Sequence, residues 1–369
     1  MEGKVRDMTN KLDEARQIIN KVDSQMAELF IERMKAAEMV FEYKKEFGLP
    51  ILDSKREEAV IEKNSALIDD VVLKGYYIDY IKNLMAVSRA YQYRLQCGLK
   101  VAYSGVEGAF AHIAAGRIFP ESNRISFRDF KSAYNSVVNG ETDVAVLPIE
   151  NSYAGEVGQT IDIIFSGNLY INGIYELEIH QNLLGVEGSS VDDIKKVTSH
   201  PQALGQCHDY IKLRGFDTEE ANNTALAAKT VAETKDKSLG AIASVETAKI
   251  YGLKILETNI NKSGENTTRF AILSKVRADS SDFTSSVLMF TVKNEAGSLA
   301  NAISIIGKYG YNMTALRSRP LKKHSWQYYF YIEIDGTTNT EEGKKMIAEL
   351  NNVCDKLKIA GTFAPHCEI

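Results

Sequence analysis

Residues 9–46 read TNKLDEARQIINKVDSQMAELFIERMKAAEMVFEYKKE and decide the fold of the N-terminal region, because apolar residues recur in them every seven positions. This repeat predicts one long helix from Thr9 to Glu46. Its apolar members are Leu12, Ile19, Met26 and Val40. Arg33 occupies the same repeat, and a guanidinium buried in an apolar seam costs several kcal/mol unless an anion pairs with it. The seam therefore predicts an anionic ligand bound among helices.

Two further cations on this helix, Lys44 and Arg16, differ in whether they can reach the same ligand as Arg33. Lys44 lies eleven residues after Arg33, which is three helical turns, so both side chains leave nearly the same face and can converge on one small dianion. Arg16 precedes Lys44 by 28 residues, about 42 Å along an unbroken helix, and cannot reach the same small molecule. Arg16 is therefore either an ordinary surface arginine or part of a second site built with another chain.

The composition predicts a soluble, cytoplasmic protein of two or three domains. With 369 residues, 44% of them hydrophobic and 25% charged, the chain is too long for one compact core. The net charge of −5 gives no basic field for nucleic acid, and no stretch approaches the length of a membrane span. The four cysteines are scattered without a CxxC pair, which fits a reducing cytosol and implies neither a disulfide framework nor a metal site.

The first 97 residues carry helix signals and almost no strand signal. Gly48 and Pro50 stop the first helix, and Asp53 is placed to cap the second. A third helix is expected over 76–96. This region therefore predicts an all-helical domain.

From Gly98 to about Lys275 the pattern changes to short apolar runs that alternate with helical stretches, which predicts an α/β region. The four clearest strands are 101–103, 144–147, 196–198 and 239–243. A polar linker follows at 278–283.

The last 86 residues, 284–369, predict strands and helices in the order βαββαβ, the ferredoxin-like plan. The predicted elements are strand 286–292, helix 299–309, strands 313–316 and 326–334, helix 341–357 and strand 358–363.

The helical region gathers polar groups that suit an anionic, hydroxylated ligand. Asp53, Arg56 and Glu57 lie at positions i, i+3 and i+4 of the second helix, and Ser88 and Gln92 lie one turn apart on the third. None of them is an obvious nucleophile. The set therefore suits a reaction that needs binding and electrostatic stabilisation rather than covalent catalysis.

Residues 9–96 resemble the all-helical chorismate mutase class, in particular the mutase domain of bifunctional chorismate mutase–prephenate dehydratases. The residues that fall at the family's active-site positions are Arg16, Arg33, Lys44, Asp53, Arg56, Glu57, Ser88 and Gln92. The resemblance implies rearrangement of chorismate to prephenate, with Arg33 and Arg16 of the partner subunit holding the two carboxylates.

The same resemblance implies that Lys44 and Gln92 hydrogen-bond the ether oxygen of chorismate and that Glu57 engages the ring hydroxyl. It also implies an intertwined homodimer whose first helix contributes to two active sites. Whether dimers associate further into a tetramer stays open.

Polar motifs follow or precede several predicted strands of the α/β region. They are YSGVEGAF at 103–110, PIENS at 148–152, SHPQALGQ at 199–206 and NTTRF at 266–270. Ligands in α/β sheets collect outside the carboxyl ends of strands, so these turns are expected to border one cleft. The first motif opens a helix, where free backbone amides favour an anion. His200, which precedes a proline, either caps a helix or is a catalytic histidine.

Together these stretches resemble the prephenate dehydratase domain over residues 99–276. The resemblance implies a two-lobed, periplasmic-binding-type fold with the active site between the lobes, where prephenate loses water and carbon dioxide to give phenylpyruvate without metal or cofactor. Thr268 is implied to assist departure of the hydroxyl. The residues implied to bind or position substrate are Asn151, Ser199, Gln206, Thr224 and Arg269. Asn223 and Val106 depart from the family's usual serine and proline.

Two C-terminal segments, GSLA at 297–300 and RSRP at 317–320, resemble the phenylalanine-binding motifs of ACT regulatory domains, usually GALV and ESRP. Without that context they fit ordinary helix-start and hairpin chemistry. The effector-binding residues implied are Gly297, Ser298, Leu299, Ala300, Arg317, Ser318, Arg319 and Pro320. Arg317 replaces an acidic residue, so we expect inhibition by L-phenylalanine with an altered affinity.

The sequence thus predicts a mutase domain at 1–97, a dehydratase domain at 98–277 and an ACT domain at 284–369. Two alternatives remain open. The first is an arogenate dehydratase with the same fold. The second is a non-catalytic amino-acid sensor, since ACT domains and two-lobed folds both bind amino acids. No metal, cofactor, nucleic acid or membrane partner is expected.

Overall fold

The computed structural model describes residues 2–261, 266–321, 327–364 and 367–369. The chain divides into two compact units, Met1–Gly98 and Leu99–Ile369. The first unit is helical and consists of α1 Glu2–Glu46, α2 Ser54–Ser65 and α3 Val71–Cys97.

The ends of these helices follow local backbone chemistry. α1 ends at Glu46 as predicted, and Gly48 follows with a φ of +63°, a conformation that glycine adopts without a steric penalty. Asp53 caps α2 as predicted, because its carboxylate accepts a 3.0 Å hydrogen bond from the backbone amide of Arg56. α3 begins five residues earlier than predicted, since Asp70 caps it.

Among the described side chains of α1, the buried and half-buried ones lie in its C-terminal part. The buried apolar residues of this unit are Ala37, Phe41, Ile51, Ile81 and Met85. Every side chain of α1 from residue 11 to residue 32 is exposed. Leu12, Ile19 and Met26 of the predicted seam are therefore uncovered within the single chain, with 50%, 56% and 41% of their surface exposed.

The second unit begins with a lobe that alternates strands and helices. Its elements are β1 Lys100–Ser104, α4 Phe110–Ile118, β2 Asn123–Phe127, α5 Phe130–Asn139, β3 Val144–Asn151, β4 Gly155–Glu156, α6 Gly158–Ser166 and β5 Tyr170–Glu178. The chain then crosses to a second lobe. Its regular elements are β6 Asn182–Gly185, β7 Lys196–Ser199, α7 Pro201–Gln206, α8 His208–Arg214, β8 Asp217–Glu220, α9 Thr224–Thr234, β9 Leu239–Ala243, α10 Val245–Tyr251 and β10 Lys254–Glu257.

The chain returns to the first lobe and continues into the C-terminal region. The remaining elements are β11 Thr267–Ser274, β12 Ser285–Thr291, α11 Ser298–Lys308, β13 Asn312–Pro320, β14 Tyr328–Asp335, α12 Glu341–Val353, β15 Lys356–Phe363 and β16 Cys367–Glu368. All four strands that the apolar runs predict are present. The predicted strand residue Trp326 lies outside the described residues.

Two sheets organise this unit. The second lobe contains a five-stranded sheet in the order β10-β6-β9-β7-β8. The other strands form one sheet along the path β13-β14-β12-β15-β5-β11-β3-β1-β2, with β4 beside β3 and β16 beside β5. Because the chain leaves the first lobe after β5 and re-enters it at β11, two segments connect the lobes. The two-lobed α/β architecture agrees with the sequence expectation.

The C-terminal strands and helices have the predicted βαββαβ order, and their strands are arranged β13-β14-β12-β15. Both faces of this part of the sheet are covered. Leu288 and Phe290 pack with α11 and α12, whereas Val287 and Met289 pack with residues of the first lobe. Alternate side chains of β12 therefore belong to two different cores.

Two predicted element ends in this region are wrong by four residues. β13 ends at Pro320 rather than at Leu316, because residues 317–320 pair with residues 328–331 of β14.

α12 ends at Val353 rather than at Leu357, because Lys356 and Leu357 pair with Thr291 and Phe290 of β12. The final strand consequently begins two residues before its predicted start. In the described part of the chain, no helix is both long and apolar enough to span a membrane.

The C-terminal strands join the first lobe through a close backbone contact. Gly361 of β15 pairs with Ile171 of β5. A Cβ atom at Gly361 would lie 1.9 Å from the carbonyl oxygen of Ile171, so only glycine allows the two strands to approach this closely.

Lys358 of β15 forms a second connection at the C-terminal end of α6. Its ammonium donates to the carbonyl oxygens of Ile164 and Gly167, the latter at 2.7 Å, where a helix presents unpaired carbonyl groups. Burial, with a smaller contribution from Lys356, lowers the pKa of Lys358 from its ordinary 10.5 to about 8.

This lowered pKa predicts a pH-dependent stability. Between about pH 8 and pH 10 the unfolded chain binds more protons at Lys358 than the folded chain does, so this group makes the free energy of unfolding rise with pH. We expect the stability of the wild type relative to Lys358→Met to increase over that range, measured by urea unfolding at several pH values. Parallel pH profiles for the two proteins would contradict the assignment.

Candidate active site

A cavity of about 260 Å³ lies between the two lobes of the second unit. Four of the predicted dehydratase residues line it: Asn151, Gln206, Thr224 and Thr268. They come from β3, α7, α9 and β11 respectively, so the cavity collects side chains from both lobes. Its apolar lining includes Phe110, Phe130 and Phe270.

Thr268 and Asn151 face each other across neighbouring strands. Thr268 pairs with Asn151 in the antiparallel ladder of β11 and β3, and Arg269 pairs with Glu150. The next pair joins Phe270 to Pro148, so the register shifts by one residue at this point. Irregularities of this kind are common beside active sites because they change the direction of a side chain.

The orientation of the Asn151 side chain is fixed by backbone amides. Its Oδ1 accepts hydrogen bonds from the amides of Tyr153 and Ala154, at 3.2 and 2.9 Å. The amide nitrogen must therefore point the other way, and Nδ2 donates to Thr268 Oγ1 at 2.9 Å. Since the Thr268 oxygen accepts this bond, its own hydroxyl hydrogen can be donated to a ligand.

A network of amide side chains extends this arrangement, and sequence reasoning did not select three of its members. Asn266 accepts a 3.0 Å hydrogen bond from Asn151 and donates one of 3.0 Å to Gln206. Gln181 donates to Gln206 at 3.4 Å, and Gln202 donates to Asn151 at 2.9 Å. Gln202 and Asn266 lie inside the quoted SHPQ and NTTRF motifs, which could have identified them. Gln181 lies in a connection between the lobes and belongs to no motif.

Helix starts contribute partial positive charge to the cavity. α4 begins at Phe110 and α9 begins at Thr224, and both residues line the cavity. The first turn of α4 has no side-chain cap, so its backbone amides suit an anionic ligand. Of the described residues that line the cavity, none is a lysine or an arginine.

His200 takes the capping role that the sequence left open. Its Nδ1 accepts a 3.2 Å hydrogen bond from the amide of Gln202 at the start of α7. Burial lowers the pKa of His200, which favours the neutral ring that this bond requires. His200 also lines the cavity, so the ring that caps α7 lies where it can contact a substrate.

Two predicted substrate-binding residues do not reach the cavity. Ser199 is fully buried, and its hydroxyl donates a 2.6 Å hydrogen bond to the carbonyl oxygen of Ile242. Arg269 follows Thr268 in a strand, so its side chain leaves the opposite face of the sheet. There it pairs with Glu150 and Glu333. Neither residue lines the cavity, so the prediction that they bind or position substrate stays a prediction.

The helical unit brings several predicted mutase residues together. Arg33 is half-buried and donates to the Ser88 hydroxyl and, at 3.5 Å, to the carbonyl oxygen of Leu84. Lys44 donates a 2.5 Å hydrogen bond to the carbonyl oxygen of Ile51, at the connection to α2. Both cations thus make polar contacts within the unit.

Glu57 and Gln92 complete this group, together with a residue that the sequence did not single out. Glu57 pairs with Arg89, which lies between Ser88 and Gln92 on α3. Gln92 is 7% exposed, and its Oε1 is buried and has no hydrogen-bond partner. A buried amide oxygen without a donor is costly, so this position favours a ligand or a partner group.

Three predicted mutase residues remain at the surface of the single chain. Asp53 and Arg56 are exposed, and Asp53 uses its carboxylate to cap α2. Arg16 is exposed and lies 3.5 Å from Asp13 of the same helix. It is far from Arg33 along α1, as its spacing predicts.

Among the described residues, no hydrogen bond or ion pair joins the two predicted effector segments, 297–300 and 317–320. Gly297 precedes α11 as its N-cap residue. Arg317 and Arg319 project from the same face of β13 towards the first lobe, where Arg317 pairs with Glu150 at 2.6 Å and Arg319 pairs with Asp162 at 2.8 Å.

Comparisons with known proteins agree with this arrangement of units. A family model for type II chorismate mutase matches residues 15–93, and one for prephenate dehydratase matches residues 101–278. A bifunctional chorismate mutase/prephenate dehydratase from Aquifex aeolicus is 32% identical over 362 residues, which cover 96% of this chain and 98% of that protein.

Other relatives match the second unit alone. Arogenate dehydratase 2 from Petunia hybrida is 32% identical over 72% of this chain and 71% of its own length. The crystal structure of prephenate dehydratase from Arthrobacter aurescens in complex with L-Phe has a TM-score of 0.68 and 25% identity, and covers 72% of this chain and 90% of that chain. With two matching domains and a relative matched over nearly its full length, the chain belongs to the family of bifunctional chorismate mutase/prephenate dehydratases.

Proposed function

We propose that the helical unit rearranges chorismate to prephenate and that the cavity of the second unit converts prephenate to phenylpyruvate, as a step towards phenylalanine. The observation that carries the second activity is the hydrogen bond from Asn151 to Thr268 inside the cavity between the lobes. The domain boundaries that we propose are 1–97, 98–277 and 284–369.

The dehydratase reaction requires an acid at the departing hydroxyl. The ring hydroxyl of prephenate leaves as water after it gains a proton, the ring carboxylate leaves as carbon dioxide, and its electron pair completes the aromatic ring. We assign Thr268 to hydrogen-bond the departing hydroxyl, because Asn151 already donates to the Thr268 oxygen and leaves its hydrogen for the substrate. The uncapped start of α4 suits a substrate carboxylate.

The mutase reaction requires no nucleophile, because the bonds break and form within chorismate. We assign Arg33 to one carboxylate, Lys44 and Gln92 to the ether oxygen, and Glu57 to the ring hydroxyl. Only the Nε2 group of Gln92 can donate to an ether oxygen, and the buried position of this side chain beside Ser88 on α3 supports that role. Stabilisation of the developing charge by Lys44 then supplies the main catalytic effect.

The two activities are expected to be separable by mutation. Thr268→Ala should lower the dehydratase kcat by about a hundredfold or more, because a positioned hydrogen-bond donor is lost. It should leave mutase turnover intact, whereas Arg33→Ala should show the reverse pattern. Chorismate supplied to each variant measures the mutase, and prephenate supplied separately measures the dehydratase.

Thr268→Ser is the matched control, because it keeps the hydroxyl and should retain most of the dehydratase activity. Loss of both activities in Thr268→Ala would contradict two independent sites.

The mutase site further requires a second chain. α1 has uncovered apolar residues from Leu12 to Met26, and its length places Arg16 about 25 Å from Arg33. We propose an intertwined homodimer in which this seam is buried and Arg16 of the partner subunit reaches the active site. An exposed apolar stripe of this length on one helix supports such an interface.

Disruption of the seam tests this dimer. In Ile19→Asp the buried, unpaired carboxylate should weaken dimerisation by at least about a hundredfold, because its desolvation costs several kcal/mol. Mutase activity should fall with it. Asn20→Asp introduces the same charge beside the seam and should remain dimeric by size-exclusion chromatography with light scattering. A wild-type protein with the mass of one chain would refute the dimer.

We propose that the C-terminal region is an ACT domain that binds L-phenylalanine and inhibits the dehydratase. Its βαββαβ order and its two short motifs support this assignment, as does the Arthrobacter aurescens relative solved with L-Phe. Arg317 is engaged with Glu150, so an arginine of the effector motif contacts the dehydratase lobe directly.

Addition of L-phenylalanine should therefore lower dehydratase turnover, with D-phenylalanine as the matched control. Because Arg317 pairs with Glu150, we expect the L-phenylalanine concentration needed for half-inhibition to differ from that of relatives with the usual acidic residue at this position. A titration of the rate with L-phenylalanine measures it. Turnover that is indifferent to millimolar L-phenylalanine would refute regulation of this kind.

An arogenate dehydratase activity is the second candidate, favoured by the 32% identity to the Petunia hybrida enzyme over the second unit. Arogenate carries an ammonium group where prephenate carries a ketone, so a cavity lined by amides can accommodate either. The relative turnover of the two substrates decides between them. A non-catalytic sensor is disfavoured, because the chain belongs to a family of enzymes.

Three described cysteines, Cys97, Cys207 and Cys354, are free thiols. Free thiols support the cytoplasmic location predicted from the sequence.

A further inference from the structure

Four charged side chains cluster on the face of β11 opposite the cavity. Glu150 and Arg269 belong to the first lobe, whereas Arg317 and Glu333 belong to the C-terminal strands β13 and β14. We call these residues the ion cluster. The two lobe residues are immediate sequence neighbours of Asn151 and Thr268, the pair that we place at the departing hydroxyl.

The geometry of the ion cluster is specific. Arg269 makes a bidentate pair with Glu333, at 3.0 Å from Nη1 and 2.8 Å from Nη2, and Nη1 also lies 3.0 Å from a Glu150 oxygen. Arg317 closes the ring, since it lies 2.6 Å from Glu150 and 3.6 Å from Glu333. Glu176 of β5 adds a longer contact to Arg269, at 3.6 Å. Bidentate arginine–carboxylate pairs fix both distance and direction.

The ion cluster is largely buried. The side chains of Glu333, Arg269 and Arg317 are 5%, 14% and 18% exposed. Burial alone would raise the pKa of Glu333, but the Arg269 guanidinium and the hydroxyl of Tyr331 hold it below its ordinary value. Removal of one partner would leave a buried charge without compensation, so the cluster strongly constrains the backbone that carries it.

That backbone also carries the catalytic pair. Arg269 pairs with Glu150, and Thr268 pairs with Asn151, immediately before the register shift between β11 and β3. We propose that Arg269 is a positioning residue for the dehydratase, and that the ion cluster, half of which comes from the C-terminal domain, holds Thr268 and Asn151 in their reactive geometry. This inference rests on the proposed dehydratase function, and it gives the Arg of the NTTRF motif a role that requires no contact with substrate.

A second ion pair provides a matched comparison. Arg319 of β13 pairs with Asp162 of α6 at 2.8 Å, and the two side chains are 19% and 18% exposed. This pair joins the same C-terminal strand to the same lobe with similar burial. It contacts α6 rather than β11, so its loss weakens the attachment of the domain without releasing Thr268.

The test compares Glu333→Gln with Asp162→Asn in the full-length protein. Glu333→Gln should lower the dehydratase kcat by at least about tenfold with KM changed less than about threefold, because misplacement of a catalytic group affects the chemical step. Asp162→Asn should keep kcat within about twofold of the wild type. Mutase turnover of each sample calibrates the enzyme concentration.

Hydrogen–deuterium exchange gives a readout that needs no substrate. The amides of 267–270 should exchange faster in Glu333→Gln than in the wild type and should be unchanged in Asp162→Asn. If Glu333→Gln does not fold, Arg317→Met replaces it as the test. This variant removes the outer arginine of the ion cluster and should lower the dehydratase kcat by a smaller factor.

Equal losses in Glu333→Gln and Asp162→Asn, or an unchanged kcat and exchange rate in a folded cluster variant, would overturn the positioning role. Failure of the wild type to dehydrate prephenate or arogenate would instead refute the proposed function, while the exchange measurement would still test the cluster.

Discussion

Strand β11 is hydrogen-bonded along both edges, to β3 and to β5, so none of its side chains can change face without breaking two ladders. Because of this constraint, two adjacent residues of β11 have different roles. Thr268 must face the cavity, and Arg269 must face the C-terminal strands. The cavity chemistry and the attachment of the C-terminal domain are therefore built on adjacent residues, and the ion cluster and the Asn151–Thr268 pair occupy opposite faces of the same short piece of sheet.

The helical unit depends on a different constraint, which is the length of α1. Among the described residues of α1, every side chain from residue 11 to residue 32 is exposed, including the apolar seam from Leu12 to Met26. The residues proposed for chorismate lie in the packed half, around Arg33 and the buried Gln92. In the proposed homodimer, burial of the seam and completion of the active site are one event. Mutase activity then depends on the association of chains, whereas the dehydratase cavity is formed within one chain.

Much of this arrangement was predictable from local chemistry. Asp53 was identified as a cap because helix starts require a side-chain acceptor, and Thr268 and Asn151 were identified through motifs at strand ends. The motif alone does not show that Arg269 faces away from the cavity towards Glu333, because this partner lies 64 residues away in the sequence. Gln181 could not be found, since its importance arises from the crossing between lobes. The helix end at Val353 was missed because pairing with β12 outweighs helix propensity.

The contact between Gly361 and Ile171 has a consequence for how the chain can be divided. Within the part of the chain that the structure describes, strand β5 pairs with β11 on one side and with β15 and β16 of the C-terminal region on the other. A shortened chain that ended at the linker would present Tyr170–Glu178 as an open sheet edge, which is a template for pairing with other chains. The C-terminal strands thus also prevent the edge of β5 from pairing with other chains. A catalytic fragment produced without these strands would need another way to block the β5 edge in order to stay monodisperse.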